Sequence, residues 1–224
     1  MVKGRLIAIE GLDGTGKAVQ TKLLTEYLKN AGKSVALFDF PRYTTSIFGK
    51  LTGEALMGAY GDFRNLSPFL SSLPFVLDRA TAKNDIEKAL AKGDVICNRY
   101  TPSNLAYQSA KLPPSQRKKF VDFLEKAEYV EIGIPRPDLV IYLRVPVETA
   151  LVLNAGKPKR AYLKKAGDKD QHEEDEMYQR QVIETYLAFA KEKKNWHIVE
   201  CVENGKLLAP EAIHEKIVAI LEKK

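Results

Sequence analysis

Short apolar segments alternate along the chain with longer segments of helical pattern. Strands that alternate with helices are typical of a parallel sheet whose crossover helices cover both faces. The pattern therefore predicts an α/β fold with a sheet of about five strands. The strands are expected at residues 5–10, 34–40, 95–98 and 139–145, and with a weaker signal at 197–200.

Three helices have recognisable ends. A helix over 17–31 is expected to stop at Gly32, because glycine readily ends a helix in the left-handed conformation. A Ser-Pro pair opens a second helix over 67–92, with the serine as its cap and a kink expected at Pro74. A proline also opens the closing helix, expected over 210–223.

A glycine-rich segment joins the first strand to the first helix. Glycines in such a turn allow positive φ angles and a close approach of the main chain to phosphate oxygens, and the lysine that follows adds a positive charge. A strand, a G-x-x-x-x-G-K turn and a helix together form a P-loop, so we expect a nucleotide-phosphate site here. The residues expected to bind the nucleotide phosphates, those of ATP if the resemblance described below holds, are Gly11, Leu12, Asp13, Gly14, Thr15, Gly16, Lys17 and Ala18.

A long polar segment over 154–176 interrupts the alternation. Its first part is rich in lysine and contains Arg160, and an acidic run follows. A polar segment of this length within a compact domain is typical of a functional lid or of a disordered loop. Beside a phosphate-binding loop we expect a basic lid; a solvated helical face is the alternative.

Composition limits the class of protein. Hydrophobic residues make up 45% and charged residues 29% of 224 residues, which is typical of one soluble domain spanning 1–224. The apolar runs are far shorter than the roughly 20 residues that span a bilayer. The N-terminus leads directly into the first strand, so we expect no signal peptide, no membrane contact and a cytoplasmic protein. Cys97 and Cys201 lie in or beside predicted strands and are expected to be buried thiols.

The net charge of +6 raises the possibility of nucleic-acid binding. The lysines are spread along helices and the C-terminal tail, with neither an arginine-rich run nor a basic stripe interleaved with aromatics. A basic surplus also suits a site for polyanionic nucleotides. We therefore expect no nucleic-acid partner.

Several segments resemble, in the same order, motifs of the thymidylate kinase family. The loop and the residues that follow it resemble E-G-x-D-G-x-G-K-[ST]-[ST]-Q, and the second expected helix contains the family's D-R pair. The family's D-R-Y-x-x-S-x-x-A-Y-Q and P-D-L-x-x-Y-L motifs have counterparts further along, and its D-x-x-E lid segment with a downstream tyrosine has a looser one. The matching residues are Glu10–Lys17 with Gln20, Asp78-Arg79, Asn98–Gln108, Pro137–Leu143, and Asp170–Glu173 with Tyr186.

The resemblance implies a P-loop kinase that transfers the γ-phosphoryl group of ATP to dTMP and gives dTDP, in dTTP biosynthesis. It also implies Mg²⁺ bound with ATP, and a homodimer. A kinase for another nucleoside monophosphate remains an alternative, because the candidate base-binding residues favour a pyrimidine only weakly. A P-loop binding protein with little or no turnover is the alternative from another class.

The resemblance also assigns residues to the base and sugar of dTMP. Phe75 would stack on the thymine ring, although a plain core role is the alternative. Arg79 would reach a base carbonyl, and Asn104 and Gln108 would bond the base edge. Tyr107 would crowd the 2′ position and so favour deoxyribose.

The remaining assignments concern the phosphates. Arg99 would grip the monophosphate as a planar bidentate donor, and Arg42 could reach the same group. Asp13 would accept a hydrogen bond from the sugar 3′-hydroxyl. Lys17, Asp13 and Arg99 are thus the expected catalytic residues, together with a cation from the lid. Arg160 is the expected lid cation, with Lys157 or Lys159 as alternatives, and a plain surface role for Arg160 remains open.

Two departures from the family pattern concern the metal. Ala18 stands where a hydroxyl usually binds Mg²⁺, and Asn98 replaces an aspartate that usually orients a metal-bound water. Mg²⁺ tolerates few protein ligands because it keeps several waters and bridges phosphate oxygens. We therefore expect an active kinase with weakened Mg²⁺ affinity, in which Asn98 contacts the metal through water.

Overall fold

The predicted strands form one parallel sheet. The computed structural model describes residues 4–155 and 176–223. The strand order is β2-β3-β1-β4-β5, and every neighbouring pair is parallel. The strands are β1 (Leu6–Glu10), β2 (Val35–Asp39), β3 (Asp94–Asn98), β4 (Leu139–Arg144) and β5 (Trp196–Glu200). A separate antiparallel hairpin that the sequence did not predict consists of β6 (Val202–Glu203) and β7 (Lys206–Leu207).

Helices cover both faces of the sheet. One group contains α1 and α9, which pack together, and the other contains α4, α5 and α8. The helices are α1 (Lys17–Asn30), α2 (Ile47–Leu56), α3 (Pro68–Ser71), α4 (Leu73–Leu90), α5 (Thr101–Ala110), α6 (Pro114–Lys126), α7 (Val147–Ala155), α8 (Glu176–Glu192) and α9 (Pro210–Glu222), and a π-helical turn (Ala127–Ile132) continues α6.

The three central strands are buried on both faces. Every residue of β1 is buried, and the first four are apolar. Such continuous apolar strands are typical of the middle of a parallel sheet. Glu10 and Asn98 are polar and stand at the carboxyl ends of β1 and β3. Polar chemistry is therefore concentrated at the carboxyl edge, where ligands bind in open α/β sheets.

The expected helix over 67–92 is wrong in its continuity, its serine cap and its kink. The structure has two helices, α3 and α4, separated at Ser72. Ser67 makes no side-chain capping bond. Pro74 lies in the first turn of α4, where a missing N–H costs no helical hydrogen bond, so it begins a helix instead of kinking one.

Two other expectations, the end of α1 and the two buried thiols, are confirmed. Gly32 follows α1 with φ +75° and its N–H bonds the Lys29 carbonyl, which ends the helix. Cys97 and Cys201 are buried free thiols. Within the described ranges, no helix is long and apolar enough to cross a membrane. Most of the expected lid, with Lys157, Lys159 and Arg160, lies outside the described residues.

Candidate active site

The P-loop lies at the carboxyl end of the central strand. Gly11, Gly14 and Gly16 have φ angles of +150°, +89° and +88°, which L side chains rarely adopt. A Cβ on Gly11 would lie 2.9 Å from the Leu143 carbonyl oxygen, so the close approach of β4 also requires glycine. Leu12 is buried and anchors the loop in the core. The sequence-predicted loop therefore forms, with the N-terminus of α1 directly behind it.

Lys17 is folded into this loop. Its ammonium donates to the carbonyl oxygens of Gly11 at 3.1 Å and Leu12 at 2.6 Å. The Asp13 carboxylate lies 3.5 Å away. The positive charge is thus held inside the loop, within reach of any phosphate that the loop amides bind.

Arg99 meets the loop from the neighbouring strand β3. Its Nη2 donates to Asp13 Oδ1 at 2.7 Å, and its Nη1 donates to Ser103 Oγ at 3.0 Å. The guanidinium also lies over the Tyr107 ring, 5.2 Å from its centre. Burial tends to lower the pKa of Arg99, but the Asp13 carboxylate more than offsets this, so that pKa is well above its ordinary value. Arg99 is a permanent cation beside the loop.

Glu10 is the buried centre of a second network. Its carboxylate accepts hydrogen bonds from the Tyr100 N–H at 2.8 Å, from Ser103 Oγ at 2.5 Å and from the Tyr186 hydroxyl at 2.9 Å. The Tyr186 ring stacks on Tyr142 at 4.5 Å between centres. Glu10 thereby ties β1 to α5 and to α8, the first helix after the expected lid.

A cavity opens beside Asp13 and Arg99. Aromatic rings form part of its lining. The residues expected to hold the base and sugar all line it: Asp13, Phe75, Arg79, Asn104, Tyr107 and Gln108. Phe75 also packs on Phe63, with 6.2 Å between ring centres. It therefore serves the core and the cavity wall together. Phe40 and Tyr43, which the sequence did not single out, complete that wall.

Two amide side chains in this cavity each have one hydrogen-bonded atom and one atom without a hydrogen-bond partner among the described residues. Asn104 Nδ2 donates to the Ser72 carbonyl at 3.2 Å, and Asn104 Oδ1 is buried with no hydrogen-bond partner among the described residues. Gln108 Oε1 accepts from Ser71 Oγ at 2.6 Å, and Gln108 Nε2 is likewise buried and unpaired there. Buried polar atoms are rarely left unpaired. The cavity therefore offers one acceptor and one donor to a ligand.

Arg79 and Arg42 differ in their surroundings. Arg79 lines the cavity with Phe75, which we call the candidate base cavity, and is bound by Glu128, which the sequence did not single out. Arg42 instead lines a second cleft with Lys17 and Asn98. Its Nε donates to Asp78 Oδ1 at 3.0 Å. Arg42 is thus fixed on the P-loop side, in the cleft that Lys17 lines, and does not line the candidate base cavity.

The same cleft contains the expected metal position. Asn98 Oδ1 is buried without a hydrogen-bond partner in the described chain, so it is available to a metal-bound water. Thr21 lies near Ala18 in sequence, but its hydroxyl donates to the Ala18 carbonyl at 2.9 Å. No cluster of three or more histidine, cysteine or acidic side chains suited to a metal occurs among residues 4–155 and 176–223. The arrangement fits Mg²⁺ held mainly by phosphates and water.

The raised pKa of Glu10 predicts a pH-dependent stability. Burial, the largest influence, raises that pKa above the ordinary value of 4.5 although Arg99 and the hydrogen bonds oppose it. Between 4.5 and the folded-state pKa the native protein binds more protons than the unfolded chain, so this contribution to stability falls as pH rises. In Glu10→Gln we expect the fall to be absent, as measured by Tm from pH 4.5 to 7.5. Exposed Glu26→Gln is the control, and identical pH profiles for wild type and Glu10→Gln would contradict the prediction.

Comparison with known proteins agrees with this geometry. The family model described as thymidylate kinase matches residues 9–216. A thymidylate kinase of Mycobacterium tuberculosis is 34% identical over 208 residues, covering 91% of this chain and 95% of its own length. A probable thymidylate kinase of Pyrococcus abyssi is also 34% identical, covering 99% and 97%. The solved structure of thymidylate kinase from Candida albicans superposes with a TM-score of 0.72 at 24% identity, covering 99% and 92%, and supports the fold.

The family match spans the loop, the Arg99 segment and the strand that carries the P-D-L motif. Two relatives above 30% identity cover nearly the whole chain. The chain belongs to the thymidylate kinase family.

Proposed function

We propose that the chain transfers the γ-phosphoryl group of ATP to dTMP and gives dTDP, as one kinase domain spanning 1–224 with a lid at 154–176. The observation that carries the proposal is the Asp13–Arg99 ion pair, which borders both the P-loop and the candidate base cavity. Two nucleotide sites that meet at one charged pair suit the direct transfer of a phosphoryl group between them.

Positioning and charge neutralisation supply most of the catalysis in phosphoryl transfer. The loop amides and Lys17 bind the phosphates of ATP from one side. Arg99 holds the acceptor monophosphate from the other side, and Asp13 accepts a hydrogen bond from the sugar 3′-hydroxyl. Arg160 of the lid remains our proposed cation for the transferred group.

The open amide atoms fit a thymine edge. Asn104 Oδ1 would accept the base N–H, while Gln108 Nε2 and Arg79 would donate to carbonyl oxygens. The Asn104 orientation is fixed because the Ser72 carbonyl only accepts hydrogen bonds. Two donors and one acceptor complement the carbonyl, N–H, carbonyl sequence of the imide, and Phe75 offers a ring face for stacking.

The acceptor is tested by the release of ADP from Mg·ATP with dTMP, dUMP, dCMP and dGMP in turn. We expect dTMP to give the highest kcat/KM. Binding of ATP and dTMP measured by calorimetry is the companion measurement. Binding of both without turnover would contradict the proposed kinase activity, as would a preference for a purine acceptor.

Mg²⁺ accompanies ATP in this proposal and would neutralise phosphate charge during transfer. Asn98 would contact it through a bound water, and Ala18 contributes no ligand. Because residues 4–155 and 176–223 offer so few ligands, the metal would depend on the phosphates for most of its affinity.

A hydroxyl restored at position 18 should therefore strengthen metal binding. In Ala18→Ser we expect the Mg²⁺ concentration for half-maximal turnover to fall by about threefold to tenfold, since one oxygen ligand is regained. Mn²⁺ binding in the presence of ADP, followed by electron paramagnetic resonance, is a readout independent of turnover. Val19→Ser adds a hydroxyl at the next, exposed position and is the control. Unchanged metal affinity in Ala18→Ser would contradict the explanation.

We also propose a cytoplasmic homodimer, as the family resemblance implies. Leu73 and Leu77 lie one turn apart on α4, and Leu70 on α3 precedes them. All three are exposed in the single chain, Leu70 to 56%. Neighbouring exposed leucines on helices suit burial against the same face of a second copy.

Charges on this leucine face should disrupt the dimer. For Leu70→Asp/Leu77→Asp we expect the mass in light scattering to fall from twice 25.1 kDa to 25.1 kDa, because carboxylates would be buried unpaired at the contact. Leu207→Asp introduces the same charge at an exposed leucine of the hairpin. A monomeric wild type, or a double variant that stays dimeric, would exclude this face.

A further inference from the structure

Glu128 lies in the π-helical turn that continues α6. The motifs that resemble the family stop at Gln108 and resume at Pro137, so none of them includes Glu128. Its residue surface is fully buried. A main-chain hydrogen bond closes the end of this turn, since the Ile134 N–H donates to the Glu128 carbonyl at 3.0 Å. π-helical turns are rare in proteins, and those that occur are often found at functional sites.

The Glu128 carboxylate faces the guanidinium of Arg79. Arg79 Nε donates to Oε2 at 2.6 Å, and Arg79 Nη2 donates to Oε1 at 2.5 Å. Two parallel bonds of this kind fix the plane of the guanidinium as well as its position. The fork uses two of the three guanidinium nitrogens and leaves Nη1 outside it, while Arg79 lines the candidate base cavity.

A third donor fixes the carboxylate itself. Thr101 Oγ1 donates to Glu128 Oε2 at 3.0 Å. Thr101 is the first residue of α5, the helix that also carries Asn104 and Gln108. Glu128 therefore connects both helices that present polar atoms to the base, α4 through Arg79 and α5 through Thr101.

Charge gives this contact a further consequence. Burial tends to lower the pKa of Arg79, but the Glu128 carboxylate more than offsets that effect, and the pKa is raised. The cation is thus retained, while the pair as a whole carries no net charge. A neutral pair in a buried wall suits hydrogen bonding to an uncharged base carbonyl better than capture of a phosphate.

We infer that Glu128 is a positioning residue for base recognition, which holds Arg79 so that its free Nη1 donates to a carbonyl of the pyrimidine. The inference rests on the proposed dTMP kinase function and adds a residue that acts on the base only through Arg79.

The test is a double-variant cycle on the full chain with Glu128→Gln, Arg79→Gln and the combination. For Glu128→Gln we expect the KM for dTMP to rise about tenfold, the size expected for loss of an oriented bond from a charged donor. The dissociation constant from calorimetry without ATP should rise equally. The KM for ATP and kcat should stay within about twofold, which a general loss of structure would not allow.

Glu128→Gln alone leaves the buried Arg79 cation without its carboxylate and could fold poorly. The combined variant removes that cation as well, so the test stays decisive. We expect its KM for dTMP to lie within about twofold of that of Arg79→Gln, since Glu128 acts through Arg79. Effects that multiply instead would overturn the inference. So would Glu128→Gln with unchanged Tm and unchanged dTMP binding.

Glu125→Gln is the matched control. Glu125 lies nearly one turn earlier, and its carboxylate pairs with Lys193 at 2.6 Å outside the cavity. We expect no change in its KM for dTMP. Turnover of the unmodified chain with dTMP tests the proposed function separately, so failure of that function and failure of this inference are distinguishable.

Discussion

The ion pair between Asp13 and Arg99 is the contact on which the site depends. It joins the P-loop after β1 to the segment after β3, and it borders both cavities. Arg99 has φ +64°, a conformation that costs a non-glycine residue roughly 1 kcal/mol or more. Its N–H bonds the Ile9 carbonyl at 3.0 Å, and its side chain bonds Asp13 and Ser103. These bonds hold the strained residue where two nucleotides would meet.

Local patterns were enough to predict the framework and the phosphate loop. Apolar runs gave the five strands, and glycine spacing gave the loop, because each signal lies within about ten neighbouring residues. The roles of the prolines after Ser67 were harder to predict. A proline either begins a helix or kinks one, and which of these occurs depends on where the preceding helix ends. Tertiary packing decides that choice.

The partners of the residues that we propose bind the base could not be predicted in this way. Asn104 and Gln108 were named through family resemblance, but their open atoms follow from bonds to Ser72 and Ser71, more than thirty positions away. The Arg79–Glu128 pair spans 49 positions and no motif includes the glutamate. A single sequence contains no signal for such pairings, because they arise only when helices pack.

Two arginine–carboxylate pairs of the same chemistry thus acquire different roles through burial. Arg79 and Glu128 are sealed, with side-chain exposures of 3% and 0%, and separating them would leave an uncompensated charge in the core. Arg99 and Asp13 retain 13% and 17% exposure at the edge of the cleft. In the proposed reaction their bond would be exchanged for bonds to a phosphate and to a sugar hydroxyl. A fixed pair suits the selection of a neutral base, and an exchangeable pair suits the binding and release of a charged group in every cycle.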